Sequence, residues 1–232
     1  MMKKKIWELG MTVLLLTGVF WLARTGARLT GADAGAGNGV VLIDSGHGGS
    51  DPGKIGIHQE KEKDINLQIA KRLKKQLEKT GKVYMTREND VDLSEGDGGN
   101  SKVQDLKRRC EMVRKIQPDC VLSIHQNSYP EEAIHGAQVF YYEDSSEGKK
   151  LAEILQKHLV EVLDKENHRQ AKGNRTYYML KKTEATLVIV ECGFLSNNQE
   201  ALLLTDEKYQ NKVAKAICSG TLEYLSSLAE KK

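Results

Sequence analysis

VVLIDSGHGGSDPG, Val40 to Gly53, runs four apolar residues into Asp44 and then into a histidine set among four glycines. Three of the four apolar residues are β-branched, so the stretch predicts a buried strand that ends in a sharp turn. Such a turn can cradle a phosphate, hold a metal, or only bend the chain. A phosphate loop of the Walker type needs Gly-Lys-Ser/Thr to close it, and none follows here. A dinucleotide fingerprint needs a third glycine where Asp51 stands, and Asp51 would bring negative charge near a pyrophosphate. A metal turn around His47 and a plain tight turn remain open.

Working outward, strand-like runs alternate with helical patterns, which predicts α/β layering around a largely parallel sheet. The strand candidates are Val40–Asp44, Lys82–Thr86, Cys120–His125, Ala137–Tyr142 and Thr186–Glu191, with Thr176–Leu180 as a shorter one. Three are near-continuous apolar runs, as expected of strands covered on both faces. Helical periodicity covers Asp64–Thr80, Lys102–Ile116, Glu147–Leu163 and roughly Asp206–Leu228.

The polar residues fall in a pattern on the strands. VVLID runs into His47, CVLSI ends in His125, and LVIV ends in Glu191. Open α/β sheets place their sites at the carboxyl ends of strands, so two histidines and a glutamate there favour a metal or acid/base centre over coincidence. A zinc site needs a third protein ligand and an open position. At about 100° per residue, Glu62 shares a helix face with Ile65, Ile69, Leu73 and Leu77, while Glu60 lies about 200° away and should face solvent. Glu62 is then either a helix-capping acid or a ligand. His58 and His135 sit in loops, and His158 and His168 read as surface residues. Asn127 either orients substrate or closes an Asx-type turn after its strand. In Glu88–Asn100, Glu95 and Ser101 stand where a calcium loop needs glycine and glutamate, so the calcium reading fails and a solvated loop rimming the site is left.

Composition narrows the partners. Lys+Arg 35 against Asp+Glu 32 in 232 residues gives a net charge of +3, with no basic patch interleaved with aromatics, so no nucleic-acid footprint is present. The basic run Lys71–Lys82 reads as a solvated helix face. None of Cys110, Cys120, Cys192 and Cys218 stands in a C-x-x-C pair, which argues against a cysteine zinc site. Lys3, Lys4 and Lys5 precede the apolar Met11–Ala23, a signal-peptide core or a short membrane anchor. The expected organisation is therefore residues 1–30 as signal peptide or anchor, 31–39 as a flexible linker, and 40–229 as a catalytic domain working outside the cytoplasmic membrane.

Taken together, IDSGHGGSDPG, EKDINL (Glu62–Leu67), MTREND (Met85–Asp90), SIHQNS (Ser123–Ser128), GAQVFYY (Gly136–Tyr142) and VECGFLSN (Val190–Asn197) resemble the zinc-dependent N-acetylmuramoyl-L-alanine amidases of the Amidase_3 family. The resemblance covers essentially Val40–Leu228. It implies a single α/β domain with a mixed, mostly parallel sheet of about six strands flanked by helices. It also implies one zinc ion held by His47, Glu62 and His125, with Glu191 as catalytic base. Arg87 and Arg109 match family arginines and read as structural ion-pair partners. Ser45 stands where the family more often has proline, which changes turn stiffness and not a ligand. The implied substrate is peptidoglycan, its glycan strands and stem peptides. Within the family the chain is similar to the germination-specific, spore cortex subtype, in which a partner deacetylase completes muramic δ-lactam. Two rivals stand beside this reading: another zinc amide hydrolase of the wall, peptidase or deacetylase, and a non-catalytic peptidoglycan-binding protein.

Overall fold

A computed structural model describes residues 39–94 and 101–230. The N-terminal segment, the linker up to residue 38 and the end of the acidic loop (95–100) lie outside the described residues. Among the described residues no helix is long and apolar enough to cross a membrane.

Six strands form one sheet: β1 (Val40–Ser45), β2 (Lys82–Met85), β3 (Cys120–Asn127), β4 (Gln138–Tyr142), β5 (Lys172–Asn174) and β6 (Leu187–Phe194). Their order is β2-β1-β3-β6-β4-β5, parallel throughout except where β4 runs antiparallel to β6. The helices are α1 (Glu62–Leu77), α2 (Ser101–Ile116), α3 (Ser146–Leu163), α4 (Tyr178–Lys182), α5 (Asn198–Thr205) and α6 (Glu207–Ala229). This is the single, mostly parallel α/β domain that the sequence predicts.

Strand alternation sorts the core into two layers. Val41, Ile43, Leu122, Ile124, Val188 and Val190 pack with Ile65, Ile69 and Leu73 of α1, Leu151, Leu155 and Leu159 of α3, and Val213 and Ile217 of α6. Leu42, Val121, Leu187 and Ile189 pack with Cys110 and Val113 of α2 and Met179 and Leu180 of α4. Every residue of β6 is buried, which is why its sequence shows no polar alternation. Fully burying each such aliphatic side chain contributes about 1.5–3 kcal/mol.

Two elements differ from expectation. Thr176–Leu180 is not a strand. Asn174 Oδ1 accepts from the amides of Thr176 and Tyr177, at 2.7 and 2.8 Å, and turns the chain into α4. Adjacent Met179 and Leu180 are then both buried, which an extended strand with one covered face does not allow. The strand at this edge is instead Lys172–Asn174, paired in parallel with β4. The second is α5, a short helix whose N-cap, Asn197, accepts from the amides of Gln199 and Glu200.

Sheet register positions the site. His125 lies beside Glu191 across β3 and β6, and Ser45 lies beside Ile124 across β1 and β3. The turn after β1 therefore emerges next to His125. The start of α1 docks there without a side-chain cap. Lys54 O and Pro52 O accept from the Glu62 and Lys63 amides at 2.9 and 3.1 Å, satisfying groups that a helix start leaves open.

Candidate metal centre

His47 is the second residue beyond β1, after Gly46, in the left-handed region at φ 60°. That conformation is uncommon for a side chain with Cβ, and several bonds hold it. Gly48 and Asp51 exchange main-chain bonds at 3.1 and 3.0 Å. His47 Nδ1 lies 2.8 Å from Asp51 Oδ2, and Arg109 Nη2 donates to His47 O at 2.7 Å. Glycine is required at Gly46 by close approach, since a Cβ there would lie 2.2 Å from His125 Cε1. Gly53, at φ +70°, likewise leaves room for Glu62 Oε2.

Glu62 is brought over the carboxyl edge of the sheet by α1. Its Oε2 lies 3.1 Å from His47 Nε2, and its Oε1 lies 2.9 Å from His125 Nδ1. The amides of Lys54 and Gln126 donate to the same carboxylate at 2.8 and 3.1 Å. Burial works against its charge, but the two imidazoles overcome that and hold the carboxyl well below the usual range. Burial also opposes the charged form of His125, yet the bond to Glu62 raises it to about 9. One ligand atom each from His47, Glu62 and His125 all lie within 4.8 Å of one another. Two imidazoles and a carboxylate, converging with an open side, are a donor set that suits zinc.

Glu191 faces the same cavity from β6. It is buried, and its Oε2 has no hydrogen-bond partner. Burial pushes its carboxyl up to about 7, with the Glu62 charge adding to the rise and His125 opposing it. An unpaired buried carboxylate oxygen beside three converging ligand atoms has room for a polar guest, so the residues fit a bound ion with its water. The cavity is about 310 Å³. Asn127, Lys54, Tyr177 and Tyr178 line it too. Asn127 Oδ1 also accepts from Ser128 N at 2.8 Å, so it both lines the cavity and closes a local turn.

The remaining polar candidates go elsewhere. His158 pairs with Glu223 at 2.8 Å, His135 lies 3.7 Å from Asp164 Oδ2, and His58 and His168 are exposed. Glu60 precedes the helix and is half-buried, not solvent-facing, because its Oε2 turns back to accept from His58 N. All four cysteines are buried free thiols. The acidic loop does rim the site: Asp90 accepts from Gly49 N at 2.9 Å and from Lys63 Nζ at 2.6 Å.

Arg109 is an ion-pair partner as expected, 2.7 Å from Asp44 and 2.6 Å from Asp105. Arg87 is not: it donates to the carbonyls of Ser45, Gly46, Lys63 and Asn89. One role escapes the sequence reading. Asp51 sits on the far nitrogen of His47 and is itself 2.9 Å from Lys102 Nζ; its i, i+4 spacing from His47 was the available signal. Arg109 stands on the apolar stripe of α2 with Leu106, Cys110 and Val113, where a charge demands a buried partner.

A parallel-sheet domain whose central strands deliver two histidines and a glutamate to one carboxyl edge, with a helix-borne glutamate between them, has the architecture of a hydrolase with a candidate metal centre. The chain belongs to the Amidase_3 family, N-acetylmuramoyl-L-alanine amidase, which matches residues 41–223. It is by that membership an amidase of peptidoglycan. A germination-specific N-acetylmuramoyl-L-alanine amidase of Bacillus subtilis is 38% identical over 191 residues, 81% of this chain and 80% of that one. The CwlD amidase of Clostridioides difficile, solved in complex with the GerS lipoprotein, superposes with TM-score 0.79 at 39% identity, over 82% of this chain and all of that one. The catalytic domain of an amidase, CwlV, from Bacillus (Paenibacillus) polymyxa matches with TM-score 0.70 at 30% identity, over 81% and 98%.

Proposed function

We propose that the chain cleaves the amide between the lactyl group of N-acetylmuramic acid and L-alanine of the stem peptide, using one zinc ion held by His47, Glu62 and His125. The observation that carries this is the convergence of those three ligand atoms within 4.8 Å beside the unpaired buried oxygen of Glu191. His47, Glu62 and His125 would hold the ion, and the chemistry it would supply there is Lewis acidity toward water and the scissile carbonyl. Glu191 accepts the proton of the attacking water and returns it to the leaving amine of L-alanine. A carboxyl raised by burial suits a group that must both take and give a proton near neutrality. Asp51 keeps the His47 imidazole oriented from its far nitrogen, and Asn127 orients substrate at the rim.

The similarity to a germination-specific amidase supports a role in spore cortex maturation, where stem-peptide removal precedes muramic δ-lactam formation with a partner deacetylase. It goes with export across the membrane: residues 1–30 act as signal or anchor, 31–39 as linker, and 40–229 as the catalytic domain. Mass spectrometry of peptidoglycan digested by the purified protein, with zinc and with chelator, tests the reading. Free lactyl carboxyls and new L-alanine amino termini are expected, and only with metal. Glu191→Ala should keep zinc and lose hydrolysis, whereas His125→Ala should lose zinc. Full hydrolysis by Glu191→Ala, or release of glucosamine amines in place of lactyl carboxyls, would overturn it.

A further inference from the structure

Lys54 occupies an unusual position for a lysine with an exposed side chain. Its main chain is tied to the proposed metal ligand at both ends: Lys54 N donates to Glu62 Oε2 at 2.8 Å, and Glu62 N donates to Lys54 O at 2.9 Å. Ile55 bridges Lys61, and Gly56 N donates to Glu60 O at 2.8 Å, so residues 54–62 fold back as a narrow hairpin. The backbone of Lys54 is therefore fixed against the centre, the residue lies on the cavity wall, and its charge reaches Glu191. Nearby lysines are engaged, Lys63 by Asp90 and Lys102 by Asp51. Among the described residues, Lys54 is the one lysine or arginine on the cavity lining, and its charge acts on the buried Glu191 carboxylate without an ion pair at contact distance. A lysine kept only for solubility needs neither a locked backbone nor a place on that wall.

The substrate supplies a further anion. In the scissile bond the lactyl carboxyl is already an amide, and the N-acetyl group is neutral, so negative charge near the reacting atoms must lie on the peptide. An extended chain advances about 3.3–3.6 Å per residue, so a carboxylate on the residue after L-alanine stays within about 7 Å of the scissile amide. We propose that Lys54 is the specificity-determining residue for that carboxylate, selecting stem peptides whose second residue carries a free acid over those in which it is amidated. This rests on the reading that the cavity is the amidase site.

The test compares wild type, Lys54→Met and Lys54→Arg on two N-acetylmuramoyl dipeptides. Both carry L-alanine followed by D-glutamate whose γ-carboxyl is capped as a methylamide, one with a free α-carboxylate and one with the α-carboxamide. Wild type should favour the acid in kcat/KM by about fivefold, the upper end for a solvent-exposed ion pair. Lys54→Met should bring the ratio to near one, mainly through KM for the acid, with zinc content unchanged, and Lys54→Arg should keep it. No preference in wild type, or an equal loss on both peptides in Lys54→Met, overturns the proposal. Calorimetry with Glu191→Ala and with the Glu191→Ala/Lys54→Met pair reads the same preference as affinity. Failure of hydrolysis would thus sink the amidase reading alone, while equal affinities of Glu191→Ala for the two peptides would sink this one.

Discussion

Replacing Arg109 by methionine should destabilise the domain far more than its distance from the chemistry suggests. Its guanidinium is 1% exposed and lies 2.7 Å from Asp44, 2.6 Å from Asp105 and 2.7 Å from the carbonyls of Ser45 and His47. Methionine fills much of the volume but leaves Asp44 buried, with only the hydroxyls of Ser123 and Thr86 as donors. Stranding one member of a buried pair costs about 3–5 kcal/mol. For a domain of this size that lowers Tm by about 6–20 °C. The pH dependence carries the sign. In the intact protein burial opposes the Asp44 charge, but Arg109 and Ser123 overcome it and hold the carboxyl below its usual 3.8. That stabilisation is present above the usual value and is lost as pH falls through the lowered one. Without Arg109 the largest lowering influence is gone and burial, opposed only by the Ser123 bond and the His125 charge, moves the folded value upward, so the deficit shrinks as pH falls through it. Urea denaturation at pH 8 and pH 5 should show a larger gap from wild type at pH 8. Adding Asp44→Asn should recover part of the loss at pH 8. A gap below about 1 kcal/mol, the net worth of an ordinary hydrogen bond, or one identical at both pH values, would refute the reasoning.

Asp51→Asn should keep the fold but weaken zinc binding by about 10–100-fold, the usual effect of removing a carboxylate behind a ligating histidine; competition with a fluorescent chelator measures it. Gly46→Ala should displace the His125 ring, because the new methyl would lie 2.2 Å from Cε1; zinc stoichiometry by elemental analysis should fall well before thermal stability does.

Much of this was legible in the sequence because the informative strands are buried on both faces. β1, β3 and β6 announce themselves as apolar runs, and each ends in or beside an ionisable residue. Glu62 could be placed because helix geometry puts it on the face of Ile65, Ile69 and Leu73, and the structure buries it there. The failures are of a different kind. Lys172–Asn174 carries no apolar signature, because a three-residue edge strand is defined by main-chain pairing to β4 and not by its side chains. Thr176–Leu180 has strand-type composition, and tertiary burial of Met179 with Leu180 overrides it. In the sequence Asp51 stands out only as an obstacle to a phosphate, since its role depends on a turn that brings residue i+4 back against the ring of His47.

The start of α1 has a consequence beyond capping. Its first amides are bound by Pro52 O and Lys54 O, carbonyls of the same turn that carries His47. The helix that delivers one proposed ligand is thus fastened to the loop that delivers another. The two are coupled: fraying the first helical turn strips the loop of two of its bonds, and opening the loop uncaps the helix. The centre should then form or dissolve as one cooperative unit. The remaining histidine, set by β3, provides the fixed post against which that unit closes.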